Sequence, residues 1–188
     1  IATPKVSLIA HTMLERGRDS VPAIAELMDE LDAPDMETLT EFAGRACYQS
    51  FDRPNPDTCT TDAYLKRTLF EQKHWSIAEH ASVTFYITGV SRAFTHELIR
   101  HRHLSYSQLS QRFVDEWDAN VVLPPALQRH DEGGQAIADV DTVTSDAYLD
   151  IANTLSTIGL PIKQAREAAR AVLPNMVETR IVVTGNLR

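Results

Sequence analysis

The chain has 188 residues, 43% of them hydrophobic, and a formal net charge of −8. That length suffices for one sizeable core, and the acidic total argues against general binding to DNA or to an anionic membrane, which call for a basic face. No apolar run approaches the thickness of a bilayer, and the amino terminus lacks the charged start, apolar centre and cleavage site of a signal peptide, so a soluble, cytoplasmic protein is expected, folded as a single domain over residues 1–188.

Val6 to Ala10 is apolar, follows Pro4 and reads as a short strand. A helix is expected from Val21 to about Leu31, with Ser20 as cap and Pro22 in the first turn. Asp35 caps another over 36–48, where Met36, Leu39, Phe42, Ala43 and Ala46 recur at helical steps. The prolines at 54 and 56 make 52–57 a loop, after which Leu65, Leu69 and Phe70 carry a helix over 61–73. Ala81 to Thr88 is the clearest strand: Val83, Phe85 and Ile87 alternate with Ser82, Thr84, Tyr86 and Thr88, and Gly89 ends it. Ser91 caps a helix to about His101, and the residues from there to Gln111 have no helical period and are expected to form a polar loop. Val121 to Leu123 reads as a short strand or extended turn, 134–160 as a helix, and Pro161 opens a helix to Leu173 whose Lys163, Arg166 and Arg170 share one exposed stripe. Ile181 to Val183 is a last strand.

Chemistry concentrates between residues 80 and 112. Four arginines (Arg92, Arg100, Arg102, Arg112) stand there against one acid, Glu97, a local charge of about +3 inside an acidic chain. Guanidinium forks grip phosphate in paired hydrogen bonds, and the hydroxyls of Ser105, Ser107 and Ser110 and the amides of Gln108 and Gln111 add orientable partners beside them. Such a set suits a small molecule carrying phosphate and a polar ring. The competing reading is of cations that complement a helix terminus and stay solvated.

Five of the seven histidines lie between 74 and 103, yet His96 and His101 are five steps apart and would diverge by about 140° on a helix. No metal site is expected. No serine sits in the exposed turn of a serine nucleophile. Cys47 and Cys59 are too few for a disulfide framework, lack a matched base and are expected as buried thiols.

The linear pattern Arg100-His101-Arg102, two residues, Ser105, four residues, Ser110, one residue, Arg112 resembles the signature of the flavin-dependent thymidylate synthases. Segments 41–49, 74–86, 168–175 and 178–186 are similar to the same family, with a weak interval between 115 and 160. The resemblance implies an α+β subunit with a central, mostly antiparallel sheet flanked by helices, assembled as a homotetramer whose flavins lie among several chains. It implies reductive methylation of dUMP to dTMP, with methylenetetrahydrofolate as carbon donor, FAD as mediator and NADPH as reductant. Position by position, it makes Ser76, Arg100, His101, Arg102, Gln108, Asn186, Leu187 and Arg188 flavin contacts. It makes Glu97, Leu98, Ile99, Arg100, Gln108, Leu109, Ser110, Gln111, Arg112 and Arg170 the nucleotide site. Glu79 and His80 match a family pair whose bland reading is a buried, hydrogen-bonded support for the next strand.

The family's uracil-ionising arginine would fall beyond Arg188, and the first residue, Ile1, implies a start inside the reading frame. Two readings stay open: a synthase with a further carboxyl-terminal segment, or a shortened homologue that binds FAD, with or without dUMP, and has little or no synthase activity.

Overall fold

The computed structural model describes residues 1–15, 22, 33–52, 55–128 and 131–188. The helix expected over 21–31 lies outside the described residues, apart from Pro22. Four strands, β1 (Lys5–His11), β2 (Ser82–Ser91), β3 (Ser105–Gln108) and β4 (Glu178–Asn186), form one sheet in the order β1-β2-β4-β3. The Thr84 and Thr184 hydroxyls meet at 2.9 Å while the Gly89 N–H donates to the Glu178 carboxylate at 3.1 Å, so β2 and β4 run antiparallel. With helices α1 (Asp35–Tyr48), α2 (Thr61–Leu65), α3 (Arg92–Leu98), α4 (Asp131–Thr157) and α5 (Ile162–Ala169), the architecture is the α+β class expected.

Contacts divide the chain into two compact units, 1–7 with 86–183 and 8–85 with 184–188. In the first, α4 packs on α5 around Tyr148, Ala152 and Ala169, joined by Ile151, Val172 and Leu173. Ala165 and Ala169, four residues apart and fully buried, present the small face that lets the helices approach. In the second, α1 and α2 are tied by the buried Arg45. Its guanidinium bonds Glu41 Oε1 at 2.6 Å and the carbonyls of Ser50 and Thr58 at 2.9 Å each, and lies 4.4 Å from the Tyr64 ring centroid.

Several expectations are corrected. The helix over 61–73 is α-helical only to Leu65; Lys66–Glu71 is a wider π turn, and Lys73, at φ 60°, ends it. The loop over 52–57 runs into a 3-10 turn, Pro56–Thr58, capped by Asn55. Gly89 does not end β2, because its φ of 67° lets the strand pass under the Thr3 carbonyl and continue to Ser91. The helix after Pro161 is α-helical only to Ala169 and closes with a 3-10 turn, Arg170–Val172. The last strand is nine residues long, since its polar flanks Thr179, Arg180 and Thr184 pair as well as its apolar centre. Cys47 is exposed and Cys59 half-exposed; neither is a buried thiol.

Candidate functional site: two groups of polar side chains

Ser91 starts α3 by accepting the Phe94 N–H on its hydroxyl at 3.1 Å. The helix stops at Leu98, and Arg100 and His101 continue in a tight turn, their N–H groups donating to the Glu97 and Leu98 carbonyls at 3.1 Å each. The chain then re-enters the sheet. The stretch expected to be a polar loop contains β3, with Ser105 and Ser107 facing out and Tyr106 and Gln108 turned in. A two-residue period was present, but polar side chains on both faces hid it.

Both inward side chains lock the turn. The Tyr106 hydroxyl lies 2.7 Å from the Leu98 carbonyl and 2.9 Å from that of His101. The Gln108 amide nitrogen donates to the Thr95 hydroxyl at 2.9 Å and the Thr179 hydroxyl at 3.2 Å, both on buried threonines. Arg100, His101 and Arg102 are left exposed, and neither arginine has an acid partner among the described residues. Glu97 and Ile99 are exposed and Leu98 half-buried at the same end of α3.

After β3 the Leu109 N–H donates to the Arg180 carbonyl at 2.9 Å, and Ser110 begins a turn whose carbonyl accepts from Phe113 and Val114. That turn sends Gln111 into a cavity of about 520 Å³ lined also by Arg92, Glu167, Arg170, Ala171, Leu173 and Asn175. Arg112 bonds Glu167 at 2.8 Å, whereas Arg92 and Arg170 make no ion pair among the described residues. Burial lowers the proton affinity of Arg92, Glu116 opposes that shift, and the like charge of Arg170 adds to it. Two guanidinium groups sharing one cavity make it a place for an anion. In the sequence Arg92 is distinguished only as one of four cations between residues 80 and 112. The stripe on α5 is not free: Arg166 bonds the Phe113 carbonyl at 2.9 Å and Asp115 at 2.7 Å, and Lys163 sits 4.4 Å from the Phe113 ring centroid.

The remaining expected residues fall in the other unit. Ser76 and Glu79 are exposed on the 3-10 turn Trp75–His80, so Glu79 and His80 are not the buried pair considered above. Glu79 instead binds the Arg188 guanidinium. Asn186 Oδ1 accepts the Arg188 N–H at 3.2 Å, and the Leu187 N–H donates to the Ala81 carbonyl at 3.0 Å. Leu187 borders a cavity of about 670 Å³ walled by Leu65, Leu69, Phe70, Trp75 and Ala78, with Phe70 and Trp75 edge to face at 5.2 Å. Among the described residues no cluster of three or more His, Cys, Asp or Glu stands ready for a metal, and no helix is long and apolar enough to cross a membrane.

A family model described as thymidylate synthase complementing protein matches residues 26–188. The flavin-dependent thymidylate synthase of Mycobacteroides abscessus is 56% identical over a match covering 84% of this chain and 65% of its own length. The chain belongs to the flavin-dependent thymidylate synthase family. The enzyme of the same name from Mycolicibacterium gilvum is 50% identical, with all of this chain matched to 75% of its length. The chain thus spans between 65% and 75% of these two relatives. The crystal structure of thymidylate synthase X from Helicobacter pylori with FAD and dUMP superposes with a TM-score of 0.60 over 98% of this chain and 78% of that one. At 19% identity that likeness speaks for the fold.

Proposed function

We propose that this chain acts in FAD-dependent synthesis of dTMP, the reductive methylation of dUMP at its ring carbon, with methylenetetrahydrofolate as carbon donor and NADPH as reductant, in a cytoplasmic homotetramer. One observation carries the substrate reading: the cavity that Arg92 and Arg170, both without ion-pair partners among the described residues, line together with Gln111. A nucleotide monophosphate supplies the negative charge that relieves their repulsion. In this reading Arg170, Gln111 and Ser110 hold the phosphate, Arg112 does so while sharing Glu167, and Glu97, Leu98, Ile99, Arg100, Gln108 and Leu109 frame the sugar and ring. Gln108 has both amide hydrogens engaged by threonines, which leaves its carbonyl oxygen for a ligand.

The residues fit FAD by the chemistry of their donors. Arg100 and Arg102 are exposed cations without acid partners and His101 adds an exposed imidazole, as a pyrophosphate calls for. Ser76, Asn186 and Arg188 offer polar contacts, and the cavity beside Leu187 has the aromatic walls that a large planar heterocycle calls for. When bound, the flavin supplies hydride chemistry. The protein's own part is to orient the nucleotide and hold its charge.

The assembly reading draws support from β1, an edge strand on which Val6, Leu8 and Ile9 are 62%, 56% and 54% exposed. The visible spectrum of the purified protein and a dUMP titration test the whole reading. A yellow protein whose dUMP affinity falls by about 1.5 to 3 kcal/mol in Arg170→Ala, the range for a charge-assisted bond, is expected. A colourless protein indifferent to FAD and dUMP removes the proposal. Flavin and nucleotide binding without dTMP formation would leave the non-catalytic reading.

A further inference from the structure

The 520 Å³ cavity has one anion among its cations. Glu167 lines it together with Arg92 and Arg170, and its carboxylate bonds the Arg112 guanidinium at 2.8 Å. Ala165 and Ala169 occupy the buried face of α5, which leaves Glu167, and Arg170 just past the helix end, on the side that lines the cavity. A spacing of three residues favours an ion pair along a helix. Among the described residues Glu167 instead reaches across to Arg112, and Arg92 and Arg170 remain unpaired. The Arg112 and Glu167 side chains are 42% and 37% exposed, so their pairing is partly screened and yields readily to a ligand. Their charges cancel, and Arg92 and Arg170 are the uncompensated cations of the site. The buried Glu116 carboxyl, without a hydrogen-bond partner among the described residues, does not line the cavity, and burial disfavours its charged form.

We propose that Glu167 makes this cavity selective for a nucleoside monophosphate over the corresponding di- and triphosphate. The inference rests on the dUMP reading above. A phosphate monoester carries about −1.5 to −2 charge at pH 7, which Arg92 and Arg170 match. Each further phosphate adds negative charge, which Glu167 repels directly while it holds Arg112 back from it. The cavity is open, so its shape does not bar a longer phosphate chain, and discrimination falls to charge. Selectivity then comes from an opposing group on the wall rather than from added attraction to the favoured ligand.

Titration of wild type and Glu167→Gln with dUMP, dUDP and dUTP, without divalent cations, tests this. The substitution keeps the shape of the side chain and removes its charge. It should tighten dUDP and dUTP binding by about tenfold at low salt and dUMP binding by no more than about threefold, since the lost repulsion grows with the charge of the ligand. The difference should shrink as salt is added. Glu167→Ala removes the same charge at a partly exposed helix position; it should shift selectivity the same way, and it decides the matter if the glutamine variant folds poorly. Wild-type binding of dUTP as tight as that of dUMP, or a change in the variants that does not grow with the number of phosphates, would overturn the inference while leaving the substrate reading standing. A wild-type protein that ignores dUMP removes both.

Discussion

Arg45 shows how much one side chain can carry. Its guanidinium serves the Glu41 carboxylate, two backbone carbonyls and the face of Tyr64 while fully enclosed. Arg45→Ala strands Glu41 as an unpaired buried charge, so a loss of about 3 to 5 kcal/mol is expected, read by chemical denaturation; a cost under about 1 kcal/mol would refute this account. Glu116 has the opposite thermodynamics. Burial pushes its carboxyl above the ordinary 4.5, Gln111 and Arg92 oppose the shift, and Asp115 and Glu178 add to it. The folded state therefore keeps this proton to higher pH than the unfolded chain. The stability it contributes is full below 4.5 and is lost as pH rises through the folded-state value. Glu116→Gln never ionises, so its Tm relative to wild type should climb between about pH 4 and about pH 8. A constant difference across that range would show that Glu116 is not the titrating group. The types of these residues stood plainly in the sequence, but Arg92 and Glu116 are 24 positions apart by number and no spacing rule joins them.

Strands and helices matter here through where they end. α3 stops three residues short of the expected His101, and β3 begins at Ser105, so Arg100 to Arg102 ride a turn pinned from inside by Tyr106. Tyr106→Phe removes that hydroxyl and should cost about 1 kcal/mol while weakening flavin retention, since the turn is freed but its side chains remain. Full flavin occupancy in that variant would mean that the turn holds itself. β2 depends on Gly89 for another reason. An added Cβ would sit 1.9 Å from the Thr3 carbonyl oxygen at a φ of 67°, so Gly89→Ala should destabilise by about 1 to 3 kcal/mol through strain and displacement of the segment before β1. A thermal midpoint equal to wild type would contradict it. Reading Gly89 as the end of the strand follows from treating glycine as punctuation. Here it marks a close backbone approach, which depends on a segment 86 positions earlier.

At the scale of the molecule, the proposed homotetramer would bury the apolar edge strand β1. On that proposal Leu8→Lys, which puts a charge on the exposed edge, should shift sedimentation toward smaller species; unchanged sedimentation would remove β1 from the proposed interface. By itself the sequence determined the α+β composition, the helix over 36–48 and the long helix that covers 134–157, the cationic segment and the family, because helical periods and a spaced motif are local properties of a chain. Only the tertiary structure decided that Arg112 is taken by Glu167 while Arg92 and Arg170 line an open cavity, that the apparent polar loop contains a strand, and that the Glu116 carboxylate is buried without a hydrogen-bond partner. Charge pairing and burial act through space, between residues whose separation along the chain carries no trace of their contact.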